Sequence, residues 1–155
     1  MFLSEFGATG NTTLLDGVTG ETARREIGWT YWSWKYYDDP TGSTDEPLAN
    51  TDDHLLPQAV SLAIPYAEAI AGEPTETAYD PTSRIFTLTY TVDPSVDAPS
   101  VIITAPARYS EGYCASASGA TIVSVPGVSH LLLQNRPGVK DVSFQLTPGA
   151  CPAAS

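Results

Sequence analysis

Glu5 lies in the run Phe2-Leu3-Ser4-Glu5-Phe6-Gly7-Ala8, where two apolar residues lead into a carboxylate and then a glycine. A short strand ending there would present the carboxylate at its tip, and Gly7 would let the chain turn sharply behind it. A carboxylate so placed can attack the anomeric carbon of a sugar and form a covalent glycosyl-enzyme. Taken by itself, however, a glutamate near the start of a chain reads more readily as a surface residue. The second chemical feature is Ile27-Gly28-Trp29-Thr30-Tyr31-Trp32-Ser33-Trp34-Lys35-Tyr36-Tyr37. Sugar rings have apolar C–H faces that lie flat on aromatic rings, which makes Tyr31, Trp32 and Trp34 candidates for holding a saccharide. In a regular strand Trp32 and Trp34 share one side and Trp29 takes the other. Core packing is an equal reading for any one of these indoles.

Other polar residues offer less. Asp38, Asp39 and Asp45 fall in an acidic turn-rich segment, but their spacing does not follow the calcium-loop pattern. His54 and His130 are isolated, and neither sits in a spacing that suggests a Ser/His/Asp arrangement.

The elements that must position these residues come in two groups. The first part pairs an apolar strand at Phe2-Leu3 with a helix expected over 12–25. Next come the aromatic strand over 27–37 and a second helix expected over 52–63, capped by Asp52 or Asp53 and ended by Pro65. Strand, helix, strand, helix is the grammar of βα repeats. Two such units cannot close a (β/α)8 barrel, which takes about 200 residues or more, so residues 1–72 read as the end of something larger. Barrel enzymes keep their catalytic groups at the C-terminal ends of the strands, where Glu5 would fall. Residues 73–155 alternate instead. Ile85 or Phe86, Leu88, Tyr90 and Val92 repeat with period two. Short strands are expected over 100–104, 121–125, 130–133 and 142–146, each bounded by Pro or Gly. The expected fold class is thus an α/β barrel remnant followed by an antiparallel β-sandwich.

Composition agrees. The 155 residues include 13 Pro and 12 Gly, which suits strands joined by turns. The net charge is −11 with only seven Lys and Arg, which argues against nucleic acid as a partner and against anionic membrane. Cys114 and Cys151 both lie in the β part; a bridge between them would suit an exported protein, and free thiols are the other reading. No stretch is long and apolar enough to span a bilayer. No signal peptide follows Met1, so a complete chain would read as cytosolic; with an upstream signal it would be extracellular.

Read together and in order, these motifs resemble glycoside hydrolase family five. Phe2 to Thr9 resembles its seventh-strand motif, and Gly28-Trp29-Thr30-Tyr31-Trp32-Ser33-Trp34 its eighth strand. Within the family, endoglycoceramidases and related bacterial glycosylceramidases share this order. In them an acidic loop and a Pro-Tyr-x-x-Ala-Ile-Ala-Gly joint, here Pro65 to Gly72, lead into a C-terminal sandwich. The resemblance implies a retaining mechanism with Glu5 as nucleophile. It also implies Trp32 as the floor under the sugar, with Trp34 close enough to compete for that role. The implied substrate is an oligosaccharide β-linked to ceramide or a similar lipid, which leaves room for transient contact with a membrane surface; no cofactor is implied. One departure is large. The family's acid/base glutamate follows an asparagine on the fourth strand, and no Asn-Glu-Pro motif exists in this chain. A retaining pair sits only ~5 Å apart, and Glu21 and Glu26, on or after the first helix, do not suit as partners for Glu5. The isolated chain is therefore expected to be inactive. The alternative is a non-catalytic sandwich that binds carbohydrate or lipid.

Overall fold

The computed structural model describes residues 1–35 and 45–152 and divides the chain into two compact units, Met1–Ile64 and Pro65–Ser155. In the first unit, β1 (Phe2–Leu3) and β2 (Gly28–Trp29) pair in parallel, with Phe2 opposite Gly28 and Leu3 opposite Trp29. The helix α1 (Thr12–Arg24) connects them. Asn11 starts this helix: its side-chain oxygen accepts from the backbone N–H groups of Thr13 and Leu14. Leu15, Thr19 and Thr22 form its buried stripe at helical spacing. The two buried threonines spend their hydroxyls on the helix's own carbonyls, at Leu15 and Thr19, so neither brings an unsatisfied group inside.

Two expectations for this unit need correction. The second helix, α2 (Pro57–Leu62), is six residues long and starts at Pro57, not near Asp52. Asn50 explains the delay. Its side-chain oxygen accepts from the N–H groups of Asp52 and His54, closing a turn in which Asp53 takes a positive φ of 66° that no helix continues. Pro57 then begins the helix at the position where its missing N–H does no harm. The helix is held to α1 by Ser61, which donates to the Asp16 carboxylate at 2.5 Å. The long aromatic strand is also shorter than expected. Ladder pairing stops at Trp29, and beyond it, among the described residues of the expected strand, only single bridges remain, Gly7 with Trp32 and Lys35 with Ala49. The Trp32–Ser33 peptide is cis. Tyr36, Tyr37, Asp38 and Asp39 lie outside the described residues.

The second unit is two four-stranded antiparallel sheets. One has the order β4 (Gly72–Asp80), β5 (Ile85–Val92), β10 (Asp141–Pro148), β7 (Tyr113–Ser118). The other has the order β3 (Tyr66–Ala69), β6 (Ser100–Ile103), β9 (His130–Asn135), β8 (Ala120–Ile122). Alternation sets the inner faces: Phe86, Leu88 and Tyr90 on β5 oppose Leu146, Phe144 and Val142 on β10, and all six are buried. Ile102, Leu131 and Leu133 supply the other sheet's share of the core. A buried polar cluster sits among them. Tyr90 donates to the Asn135 side chain at 2.6 Å, Ser100 donates to the Tyr90 oxygen at 3.2 Å, and Asn135 donates to the Ala71 carbonyl at 3.0 Å. Every member is satisfied, so the cluster ties the sheets without leaving a stranded polar atom.

The division between units falls at Pro65, earlier than the expected Gly72, because Tyr66–Ala69 is already a strand of the second unit, paired with β6. Cys114 on β7 is bonded to Cys151, just past the end of β10, across a separation of 37 residues.

Candidate functional site

Glu5 lies two residues past β1, and Trp32 three residues past β2; both are beyond the C-terminal ends of parallel strands. The backbone on either side of Glu5 is tied to the neighbouring segment. Thr30 donates its N–H to the Leu3 carbonyl at 3.1 Å and its hydroxyl to the Ser4 carbonyl, while Gly7 bridges to Trp32. Phe6 is held edge-on between two rings, 5.4 Å from Trp29 and 5.4 Å from Tyr31. Glu5 itself is exposed. The Glu5 carboxylate is thus exposed on a backbone tied to the neighbouring segment on either side.

Gly7 has no substitute. Its φ is +130°, and a β-carbon there would lie 2.4 Å from Tyr31 Cε2. The tyrosine ring therefore packs directly on the glycine backbone, whose φ is one that other residues rarely adopt.

The three aromatic candidates are placed differently. The indoles of Trp32 and Trp34 are 43% and 56% exposed. Tyr31 is half-buried, and its hydroxyl donates to the Glu46 carbonyl at 2.9 Å. Burial, and then the nearby Glu46 carboxylate, push the Tyr31 phenol above its ordinary range. The backbone of the exposed indoles is secured from the far side. Leu48 donates to the carbonyls of Ser33 and Trp34 at 3.2 and 3.0 Å, Ala49 donates to Trp34 at 2.9 Å, and Lys35 pairs with Asp53 at 2.5 Å. Nothing in the sequence pointed to residues 45–49 in this role, because they act mainly through backbone groups that any residue carries.

Glu21 is committed elsewhere: its carboxylate accepts from Arg24 at 2.7 Å and Arg25 at 3.0 Å, and these bonds hold it below the ordinary carboxylate range. Among the described residues, no group of three or more His, Cys, Asp or Glu could hold a metal, and no helix is long and apolar enough to cross a membrane. The outer face of the β4-β5-β10-β7 sheet forms a shallow groove of about 560 Å³, with Glu76, Thr87, Thr89, Ser116 and Gln145 among its lining.

Comparison with known proteins adds to this geometry. Residues 65–146 match the glycoside hydrolase family 5 C-terminal domain. Endo-glycoceramidase II from Rhodococcus sp., in the structure of its lactosyl-enzyme intermediate, is similar at 25% identity and a TM-score of 0.72, over 96% of this chain and 33% of that one. Its ganglioside GM3 complex matches at 25% identity and a TM-score of 0.73, over 96% of this chain and 32% of that one. Cryptococcus neoformans sterylglucosidase 1 shares the fold at 14% identity and a TM-score of 0.69, over 95% of this chain and 28% of its own. The chain thus spans about a third of the length of the endo-glycoceramidase structures it resembles. No curated protein matches it. With the matched domain covering more than half of the sequence, the chain belongs to glycoside hydrolase family 5.

Proposed function

We propose that this chain is the C-terminal portion of a retaining glycosidase that cleaves the β-glycosidic bond between an oligosaccharide and ceramide or a similar lipid. The observation that carries the proposal is Glu5, exposed past the end of β1 on a backbone tied to the Thr30–Trp32 segment, with the exposed indoles of Trp32 and Trp34 following that segment. Glu5 attacks the anomeric carbon while the bond from that carbon to the lipid oxygen breaks, giving a covalent glycosyl ester. An acid supplied from outside these 155 residues protonates the departing oxygen; as a base it then deprotonates the water that cleaves the ester. Two displacements return the sugar in its original configuration. Trp32 forms the floor under the sugar, with Trp34 beside it.

The glycolipid assignment rests on the resemblance to endo-glycoceramidase II, whose structures carry a lactosyl-enzyme intermediate and a GM3 complex. The first unit then represents the last two βα units of a barrel, and β1 and β2, which pair only with each other among the described residues, continue into a larger sheet. The Cys114–Cys151 bond supports an oxidising, extracellular setting. A glycolipid substrate would also bring the enzyme into transient contact with a membrane surface.

A purely binding role for the sandwich has less support. The groove on its outer face presents hydroxyls, an amide and a carboxylate, while the exposed indoles that could stack on sugar belong to the first unit. The test is hydrolysis of a fluorescent lactosyl lipid by the full-length gene product, by its Glu5→Gln variant and by the 155-residue chain alone. The full-length enzyme turns over, Glu5→Gln loses roughly 10⁴-fold or more in kcat, and the short chain is inactive. Undiminished turnover by Glu5→Gln would sink the assignment.

A further inference from the structure

We propose that Tyr31 is a positioning residue for Glu5, setting the turn that aims the carboxylate, and that it does not stack on the sugar. The inference rests on the reading of Glu5 as nucleophile.

Three contacts converge on this ring. A β-carbon at Gly7 would meet Tyr31 Cε2 at 2.4 Å, Cζ at 2.7 Å and Oη at 2.9 Å, so the ring edge lies against the glycine backbone. Phe6 meets the same ring at 5.4 Å with an interplanar angle of 84°. The hydroxyl is bound to the carbonyl of Glu46, which is itself buried, as is Pro47 after it. The ring is therefore anchored at its tip and pressed on the two residues that follow Glu5. It cannot swing away without losing its hydrogen bond, and the turn cannot shift toward it without collision.

A stacking platform needs an open ring face. Trp32 and Trp34 are the open rings here, at 43% and 56% exposed. Tyr31 shares their sequence run but is half-buried, and its contacts with Gly7, Phe6 and Glu46 lie on the Glu5 turn and its support.

The two roles separate kinetically. A residue that contacts sugar changes the concentration at which the site saturates. A residue that aims the nucleophile changes the rate of bond formation at saturation, and a displacement of about 1 Å is enough for roughly a hundredfold loss. The experiment follows formation of the covalent intermediate on the full-length gene product, using a fluorosugar with a good leaving group and intact-protein mass spectrometry. Tyr31→Leu lowers the limiting labelling rate about 100-fold and leaves the half-saturating concentration within about threefold. Gly7→Ala, which disturbs the same contact from the other side, does likewise. Trp32→Ala raises the half-saturating concentration. Should Tyr31→Leu fail to fold by circular dichroism, Tyr31→Phe decides: loss of the tip anchor slows labelling about fivefold at unchanged saturation. A wild-type limiting rate in Tyr31→Leu, or in Tyr31→Phe where that variant decides, overturns the proposal. So does a change confined to the half-saturating concentration. Label found on a residue other than Glu5 in the wild type overturns the nucleophile assignment itself, and so distinguishes the two failures.

Discussion

Removing the Cys114–Cys151 bond destabilises the sandwich by an amount that the chain geometry sets. The bond joins residues 37 apart, and the enclosed segment contains β8, β9 and β10. Without the cross-link the unfolded segment regains the freedom of an open loop of that length. In the chain-entropy treatment this amounts to about 13 cal/mol/K, or about 4 kcal/mol at 25 °C. The assay is guanidinium unfolding of the 155-residue chain, comparing the disulfide form with the Cys114→Ser/Cys151→Ser double variant by far-ultraviolet circular dichroism. Circular dichroism is the right probe because, among the described residues, eight of the ten strands lie in the second unit, whereas all three tryptophans lie in the first. With a denaturant slope of about 3 kcal/mol/M, the midpoint falls by about 1.3 M. A fall of less than about 0.3 M would refute the reasoning. It would mean either that the unfolded chain is already constrained or that the pairing of β7 with β10 holds this end without help.

The same unfolding assay checks the core. Phe86 is fully buried, with its ring 6.3 Å from that of Phe144, so Phe86→Ala costs about 3–5 kcal/mol. Val125, 69% exposed, changes stability by less than about 0.5 kcal/mol when replaced by Ala. Alkaline pH provides another test. Burial, reinforced by Tyr79, pushes the Tyr109 phenol well above its ordinary value, and its hydroxyl donates to the Arg84 carbonyl at 2.7 Å. Because the folded state holds this proton more tightly than the unfolded state, the contribution is complete below about pH 10 and is lost as pH rises above it. Unfolding midpoints measured from pH 8 upward therefore fall beyond about pH 10, and Tyr109→Phe flattens that fall.

The parts of the fold that could be read from the sequence were those in which side-chain pattern and structure obey the same rule. The alternation of Phe86, Leu88 and Tyr90 between threonines marks one buried face and nothing else, and β5 follows it. The bounds expected for α1, 12–25, fall within a residue of the observed Thr12–Arg24. Three strands were not anticipated. The strand β4 carries Glu73, Pro74 and Glu76, residue types that strands generally avoid; they are tolerated because β4 is an edge strand, with a register shift between Pro74 and Glu76. The strand β7 is mostly Ala and Ser, too small to show an apolar period, and β3 was hidden in the joint between the two parts.

At the candidate site, Glu5 was singled out by the motif around it and the family resemblance, and the indoles by residue type, but the difference between Tyr31 and its neighbours was not legible. What separates them is the hydrogen bond to Glu46 and the contact with Gly7, and neither follows from the spacing of aromatic residues in a strand. The hook formed by Leu48 and Ala49 was illegible for a related reason, since it works through backbone N–H groups.

The central claim is that Glu5 is the nucleophile of a retaining glycosidase. The most direct test is to treat the full-length gene product with a fluorosugar that forms a long-lived glycosyl ester, digest it, and locate the added mass by peptide sequencing. The account predicts the label on Glu5, within the peptide that contains Phe6 and Gly7. A label on a different carboxylate, or release of the sugar with inverted configuration, would contradict it.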